Sequence, residues 1–249
     1  MLQFIGRFLW LCWCWIEFSI FTLFLYALAW LPRVLTRLYY SNLFYSWCRS
    51  FTRALGVNLR LHQKNISPMP QQYILVANHP SAFEDIGIPA LFNVRPLAKM
   101  DVKKWFLVGK ISEAAGTMFV DRENKKSRNK VVNQIINKLD QGENVVIFPE
   151  GGCKGRRIFE TFQYGAFDIS LRTGIPILPV FLHYEAQDTF EWRTPQSLTN
   201  KFWHFMTSQN NKANYYVYDA IHPENFKSKE EFSDYALDKF LQWQKRYLD

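Results

Sequence analysis

The stretch "FLWLCWCWIEFSIFTLFLYALAWLP", Phe8 to Pro32, constrains this chain more than any other. It is apolar over about the twenty residues that a helix needs to cross a bilayer core. Only Glu17 carries a charge, and an acid near the middle is costly on a lipid-facing helix. Trp10, Trp13 and Trp15 crowd one end and Trp30 the other, as aromatics do at a membrane interface. The run is too long for a secretory signal peptide and lacks a small-residue cleavage pattern. Arg33, Arg37, Arg49 and Arg53 follow it, against Arg7 before it, so the positive-inside rule puts the downstream side in the cytoplasm. A second segment, Leu35 to Leu55, sets Leu38, Tyr39, Leu43, Phe44, Trp47 and Phe51 at helical spacing among arginines. Such an amphipathic stretch suits the interface. Two readings stay open: a spanning first helix, or a two-helix monotopic anchor that keeps Glu17 near the headgroups. Both make the chain membrane-bound, with 1–58 as the anchor and 59–249 as the domain behind it.

The net charge of +8 fits nucleic acid or an anionic membrane surface with anionic substrates. The hydrophobic start favours the membrane, and no zinc-finger spacing or other nucleic-acid motif is present. Cys12, Cys14 and Cys48 lie in the hydrophobic start and Cys153 far downstream, which is no disulfide framework. A C-x-C inside an apolar segment is a weak metal signal, and reduced thiols are expected.

From Leu59 the pattern becomes short apolar runs between helical stretches. "QYILVANH" reads as a buried strand leading into a turn, followed by a helix from Ser81 to Phe92. "RPLAKM" and "GTMFVDR" are short strand candidates, and Asp101 to Gly109 reads as a helix that stops on its glycine. Asn124 to Gln141 puts Val131, Val132, Ile135, Ile136 and Leu139 on one face. "NVVIFPEGG", "IPILPVFLHY" and "NYYVYDAIHP" read as strands, "GAFDISLRTG" as a helix, and Ser228 to Leu248 as a closing helix with a capping box. The alternation predicts an α/β fold with a mostly parallel sheet flanked by helices.

Within "NHPSAFEDIGIP", His79 stands at a strand-to-helix turn, where α/β sites concentrate. A histidine there can take a proton from a hydroxyl if a carboxylate holds its other nitrogen. Against this, Ser81 and Glu84 have capping-box spacing, and Glu84 and Asp85 suit a helix start. The window alone leaves the two readings level. No G-x-S-x-G elbow exists and nothing marks Ser81 as a nucleophile, so the histidine would act on a substrate hydroxyl directly. Arg122, after a strand, is the better anion ligand of its basic stretch. Glu150, at a strand end beside glycines, is a site candidate, and Lys154, Arg156 and Arg157 suit phosphate or headgroups. Among the other histidines only His183, after a core strand, merits attention.

Taken in order, "NHPSAFE", "GTMFVDR", "FPEGG" and "GIPILPV" resemble the glycerolipid acyltransferase family, with its N-H-x-x-x-x-D, G-x-x-F-[IV]-[DE]-R, F-P-E-G-T and proline-strand motifs. The match covers Gln72 to Val180. The resemblance implies His79 as general base on the hydroxyl of a lysophospholipid, 1-acylglycerol-3-phosphate foremost. Glu84 would orient it, with Asp85 as the alternative, and acyl-CoA or acyl carrier protein would be the donor. It implies Gly116, Arg122, Glu150 and Gly151 at the acceptor headgroup. Asn78, Ser81 and Gly152, beside these motifs, are further substrate-binding candidates, with Lys154, Arg156 or Arg157 as replacements for the phosphate ligands that the motifs here lack. Pro179 would shape the acyl region. No metal and no cofactor beyond the acyl co-substrate are implied. The size and simplicity of the chain suit a bacterial inner membrane, and the positive-inside rule its cytoplasmic face. Three departures stand out: Glu84 at the aspartate position, "FPEGG" followed by Cys153, and "FQYG", with Gln163 where a lysine often stands. They bring forward a remodelling acyltransferase with another acceptor, and a non-catalytic lipid-binding relative.

Overall fold

The computed structural model describes residues 2–153, 155, 157–192 and 197–249, with the side chains of 2–4, 33, 37 and 38 outside that set. Lys154 and Arg156 therefore lie outside the described residues. Two long helices come first, α1 (Leu2–Leu28) and α2 (Arg33–Ala54), broken apart at Pro32. They form an antiparallel pair held by aromatic packing: Phe18 stacks on Phe51 with ring centroids 4.4 Å apart. Trp47 Nε1 donates to Thr22 Oγ1 at 2.8 Å, and Tyr40 to the Leu25 carbonyl at 2.9 Å. Glu17, the costly acid, pairs with Arg53 at 2.5 Å across the two helices.

The body is one α/β layer structure. Its main sheet has strand order β1-β7-β6-β2-β5, from β1 (Asn58–Gln63), β2 (Ile74–Ala77), β5 (Val145–Ile147), β6 (Ile177–Tyr184) and β7 (Lys212–Val217). All pairs in it are parallel except β6 with β7. A parallel pair, β3 (Leu97–Lys99) and β4 (Met118–Val120), continues past β5 through a bridge from Arg95 to Val145. The reason for this arrangement is visible in β2. All four residues of "ILVA" are buried, as a strand covered on both faces must be. Leu75 and Ala77 join the core shared with α1, α2 and α3 (Glu84–Leu91). Ile74 and Val76 join the opposite core, with α5 (Lys125–Asp140), α6 (Gly165–Thr173) and α9 (Lys229–Tyr247). The first core runs without a break from Cys14 and Phe18 of α1 through Phe44 and Trp47 of α2 to Leu178 and Val180 of the sheet.

Several elements differ from the sequence reading. The helix expected from Ser81 begins at Glu84, after a turn in which the Glu84 carboxylate bonds the Ser81 amide. The helix expected over Asp101–Gly109 is a short 3-10 turn, Met100–Lys104, followed by α4 (Val108–Ala114). Gly109 lies inside that second helix: a Cβ there would meet the Lys103 carbonyl oxygen at 2.2 Å, so glycine permits a close approach and stops nothing. Finally β1, α7 (Gln187–Phe190) and α8 (Leu198–Thr207) were not anticipated. β1 is a polar edge strand without an apolar run, and β7 begins at Lys212, ahead of its aromatic stretch.

Candidate active site

The C-terminal end of β2 delivers Asn78 and His79 into the loop before α3. Asn78 is buried and bonds the Leu182 backbone both ways, its Nδ2 donating at 3.0 Å and its Oδ1 accepting at 2.7 Å. The loop is thereby sewn to β6. His79 is 5% exposed and Glu84 not at all. Their side chains meet, His79 Nδ1 to Glu84 Oε2, at 3.1 Å. The same carboxylate accepts from the Ser81 amide on both oxygens, at 3.0 and 3.2 Å, and Oε1 accepts from Tyr184 at 2.6 Å. Ser81 Oγ in turn accepts from the Phe83 amide at 3.2 Å. Half of a capping box is present, and its acid is also the partner of the histidine; the two readings of this window describe one side chain. Asp85 is exposed and lines a cavity beside the loop.

The His79 ring lies between two groups. Phe148 stacks on it at 4.1 Å and 13°. Cys153 Sγ is 3.4 Å from Nε2 and 3.7 Å from Nδ1. Near-equal distances to both nitrogens put the sulfur over a ring face, off the Nε2 lone pair, and its nearest acceptor is the Ser81 carbonyl at 3.1 Å. A cysteine–histidine nucleophile pair does not fit that geometry. Glu150 is 4% exposed, and its two oxygens accept backbone amides, His79 at 2.8 Å and Phe159 at 3.1 Å.

Charge in this pocket is governed by desolvation. Burial is the largest influence on His79 and lowers its pKa from the ordinary 6.5; Asp85 and Glu150 pull it upward, Arg122 and Lys99 downward. Burial pushes Glu84 up, and its own donors, Tyr184 and Ser81, pull it back. A carboxylate with three donors on its oxygens and a neutral imidazole beside it is the arrangement those contacts favour. Burial also raises Cys153, which keeps it a thiol.

The sequence candidates divide. His79, Glu84, Ser81, Glu150 and Asn78 form one connected cluster. Arg122 bonds the Gly151 carbonyl, and Gly152 is the place where a Cβ would meet Arg122 Nη1 at 3.2 Å, so this turn lies against the guanidinium. Gly116 is not brought in: it precedes β4, next to the Arg95 side chain, at the other end of that strand from Arg122. Nor is Pro179, which lines a groove with Tyr218 and Trp243 on the opposite face of the sheet from the cavity. His183 stacks near Tyr247 and lines a small pocket with Pro80 and Tyr184. Lys99 was missed. It ends β3 in register with Val120, two residues before Arg122, and bears electrostatically on His79 and Asp85. The available signal was a cation at a strand's C-terminal end, as for Arg122. Tyr184 and Tyr215 read only as core aromatics.

Next to the loop lies an apolar cavity. Phe44, Trp47, Cys48 and Phe51 of α2 form one wall, and Ala98, Val102 and Trp105 another; Ser81 and Asp85 stand at its lining.

Comparison with known proteins points one way. A family model described as Acyltransferase matches residues 58–183. A 1-acyl-sn-glycerol-3-phosphate acyltransferase of Neisseria gonorrhoeae is 27% identical over 115 residues, 46% of this chain and 45% of that protein. A lyso-ornithine lipid O-acyltransferase of Pseudomonas aeruginosa is 33% identical over 151 residues, 60% of this chain and 56% of that one. This chain spans about half the length of these curated relatives. The crystal structure of the 1-acyl-sn-glycerophosphate acyltransferase PlsC of Thermotoga maritima superposes with a TM-score of 0.69 at 19% identity, covering 97% of this chain and 96% of that one, which shows a shared fold.

Proposed function

The chain belongs to the acyltransferase family, and on that premise we propose that it moves a fatty acyl group to the free hydroxyl of a lysophospholipid. The donor is an acyl thioester, on coenzyme A or acyl carrier protein. One observation carries the reading: a buried His79–Glu84 pair, 3.1 Å apart, beside a cavity with apolar walls. Glu84 holds the Nδ1 proton and leaves Nε2 free to take the proton of the acceptor hydroxyl. The oxygen attacks the thioester carbonyl, the ester forms, and the thiol leaves with the proton from His79. Glu150 and Asn78 position the His79 backbone. Arg122 and Lys99, at adjacent strand ends, are the cations for the acceptor phosphate, and the cavity takes acyl chain.

1-Acylglycerol-3-phosphate is the first acceptor on this reading. A lysolipid with a larger headgroup is the second. It is favoured by Gly152, which removes a side chain beside Arg122, and by the relatives named for lyso-ornithine lipid.

The protein works on this reading as a monotopic enzyme on the cytoplasmic face of a bacterial inner membrane. α1 holds the body at both of its ends. Arg7 donates to the Ser208 carbonyl at 2.9 Å, and Tyr26 meets Phe106 at 6.4 Å. The helix between them spans about 30 Å, the thickness of a bilayer core. A helix spanning that core would carry one of these contacts to the far side of the membrane. Exposed Phe8, Trp10, Trp13, Ile20 and Leu23 face outward for lipid.

The test is acyl transfer from labelled acyl-CoA and acyl carrier protein to a panel holding 1-acylglycerol-3-phosphate, lysophosphatidylcholine and lyso-ornithine lipid. Wild type acylates at least one acceptor and His79→Ala none. Transfer unchanged in His79→Ala overturns the mechanism, and no transfer by wild type from either donor overturns the activity.

A further inference from the structure

Glu84 is bound more firmly than a helix-start acid needs to be. Tyr184, at the end of β6, donates to Oε1 at 2.6 Å, within the range of a hydrogen bond to an ionised acceptor. Behind it stands Tyr215 of β7, its hydroxyl 3.3 Å from that of Tyr184. Tyr184 has one hydroxyl proton and gives it to Glu84, so in this pair Tyr215 donates to Tyr184. A line of hydrogen bonds thus joins Tyr215, Tyr184, Glu84 and His79, the two hydroxyls on one side of the carboxylate and the imidazole on the other. Both tyrosines are buried, Tyr215 completely. The fold makes room for the line: a Cβ on Gly87 would meet the Tyr215 hydroxyl oxygen at 2.2 Å, so α3 carries glycine where the phenol arrives. The register fixes the pair, with Tyr215 opposite Leu182, the residue that Asn78 binds.

We propose that Tyr184, backed by Tyr215, is a positioning residue for the base: its hydroxyl fixes Glu84 Oε1, so that Oε2 keeps His79 in the tautomer with Nδ1 protonated and Nε2 free. A glutamate has one more rotatable bond than an aspartate. Without the tyrosine only the Ser81 amide, shared between both oxygens at 3.0 and 3.2 Å, holds the carboxylate beside His79. The carboxylate can turn about that shared donor, and the acceptor for the Nδ1 proton turns with it.

The sign of the pH effect follows from charge. Tyr184 donates to the ionised carboxylate, so removing its hydroxyl disfavours that form, and the pair takes up its inactivating proton at a higher pH. Among the described residues, the other charged or titratable groups that bear on the pair are Asp85 from α3, Lys99 from the end of β3, Arg122 after β4, and Glu150 and Cys153 from the turn after β5. All stay in place in a Tyr184→Phe chain. The ring stays too, because it stacks on Phe190 at 4.4 Å and 1°.

The kinetic arm of the test rests on the acyl-transfer reading; a spectroscopic arm does not. In the full-length protein, Tyr184→Phe lowers kcat by about 10- to 100-fold near neutral pH, the value of a hydrogen bond to a charged group. KM for donor and acceptor holds within about twofold. The acid limb of kcat/KM moves to higher pH, and the deficit shrinks as pH rises. Tyr215→Phe acts in the same direction and less. In parallel, nitrogen-15 NMR of the His79 ring reads the tautomer: wild type holds the proton on Nδ1, and Tyr184→Phe mixes the two tautomers. An unshifted acid limb with an unchanged tautomer overturns the proposal, as does a loss of thermal stability with neither change. If wild type transfers no acyl group, that counts against the enzymatic reading, and the tautomer measurement still decides Tyr184.

Discussion

At the scale of single residues, the question left level by the sequence, cap or catalytic partner, was one of geometry. Glu84 reaches the Ser81 amide and His79 Nδ1 with one carboxylate. Spacing shows that a side chain can reach back three residues; it does not show that five residues back is also in range, which depends on the turn that Asn78 fixes to β6. Asp85, the neighbour, points to the cavity. Glu84→Gln is therefore expected to lower kcat/KM by about 10²-fold or more, and Asp85→Asn by about tenfold at most; steady-state kinetics on both variants checks this, and the reverse order would move the base's partner to Asp85. His79 works only as the neutral imidazole, and burial lowers its pKa from 6.5. Its loss of activity is therefore an acid limb below the ordinary histidine range, with activity falling as pH falls through it, measurable from kcat/KM against pH. Glu150 shows the opposite limit of sequence reading. Its motif marked it as a headgroup ligand, yet both oxygens hold backbone amides, a use that no pattern of residue types announces.

At the scale of elements, legibility followed burial. β2, β5 and β6 were plain because strands covered on both faces must be continuously apolar. β1 was hidden by its edge position, where "NLRLHQ" has only half a core to face. The segment from Met100 to Ala114 was misread because a close backbone approach at Gly109 looks, in sequence, like a helix stop. α3 is the element on which the site hangs, and its tolerance is small. Gly87→Ala sets a methyl against the Tyr215 hydroxyl and the Phe83 ring, and overpacking of this kind costs about 1–3 kcal/mol. Denaturant unfolding should show that loss, and kcat should fall with it because Tyr215 is displaced. By contrast Glu17→Gln, which breaks a half-exposed pair between α1 and α2, should cost less than about 1 kcal/mol.

At the scale of the whole molecule, the helix pair and the α/β body share one hydrophobic core. The sequence divides at residue 58, where composition changes, but the core does not divide there: Phe44, Trp47 and Phe51 are buried with sheet residues, and they also wall the cavity. Alkaline carbonate extraction is expected to leave the full-length protein in the membrane fraction, and a chain of residues 59–249 alone is expected to aggregate or unfold, as judged by size-exclusion chromatography and circular dichroism. A chain of residues 59–249 that stays soluble, well folded and active would refute that dependence. The exposed face of α1 is a different matter from its buried one, since Phe8, Trp13 and Ile20 touch little else in the protein. Anyone wanting a water-soluble version of this protein therefore has nothing to cut away: the greasy half must stay, and only its outward paint can be changed.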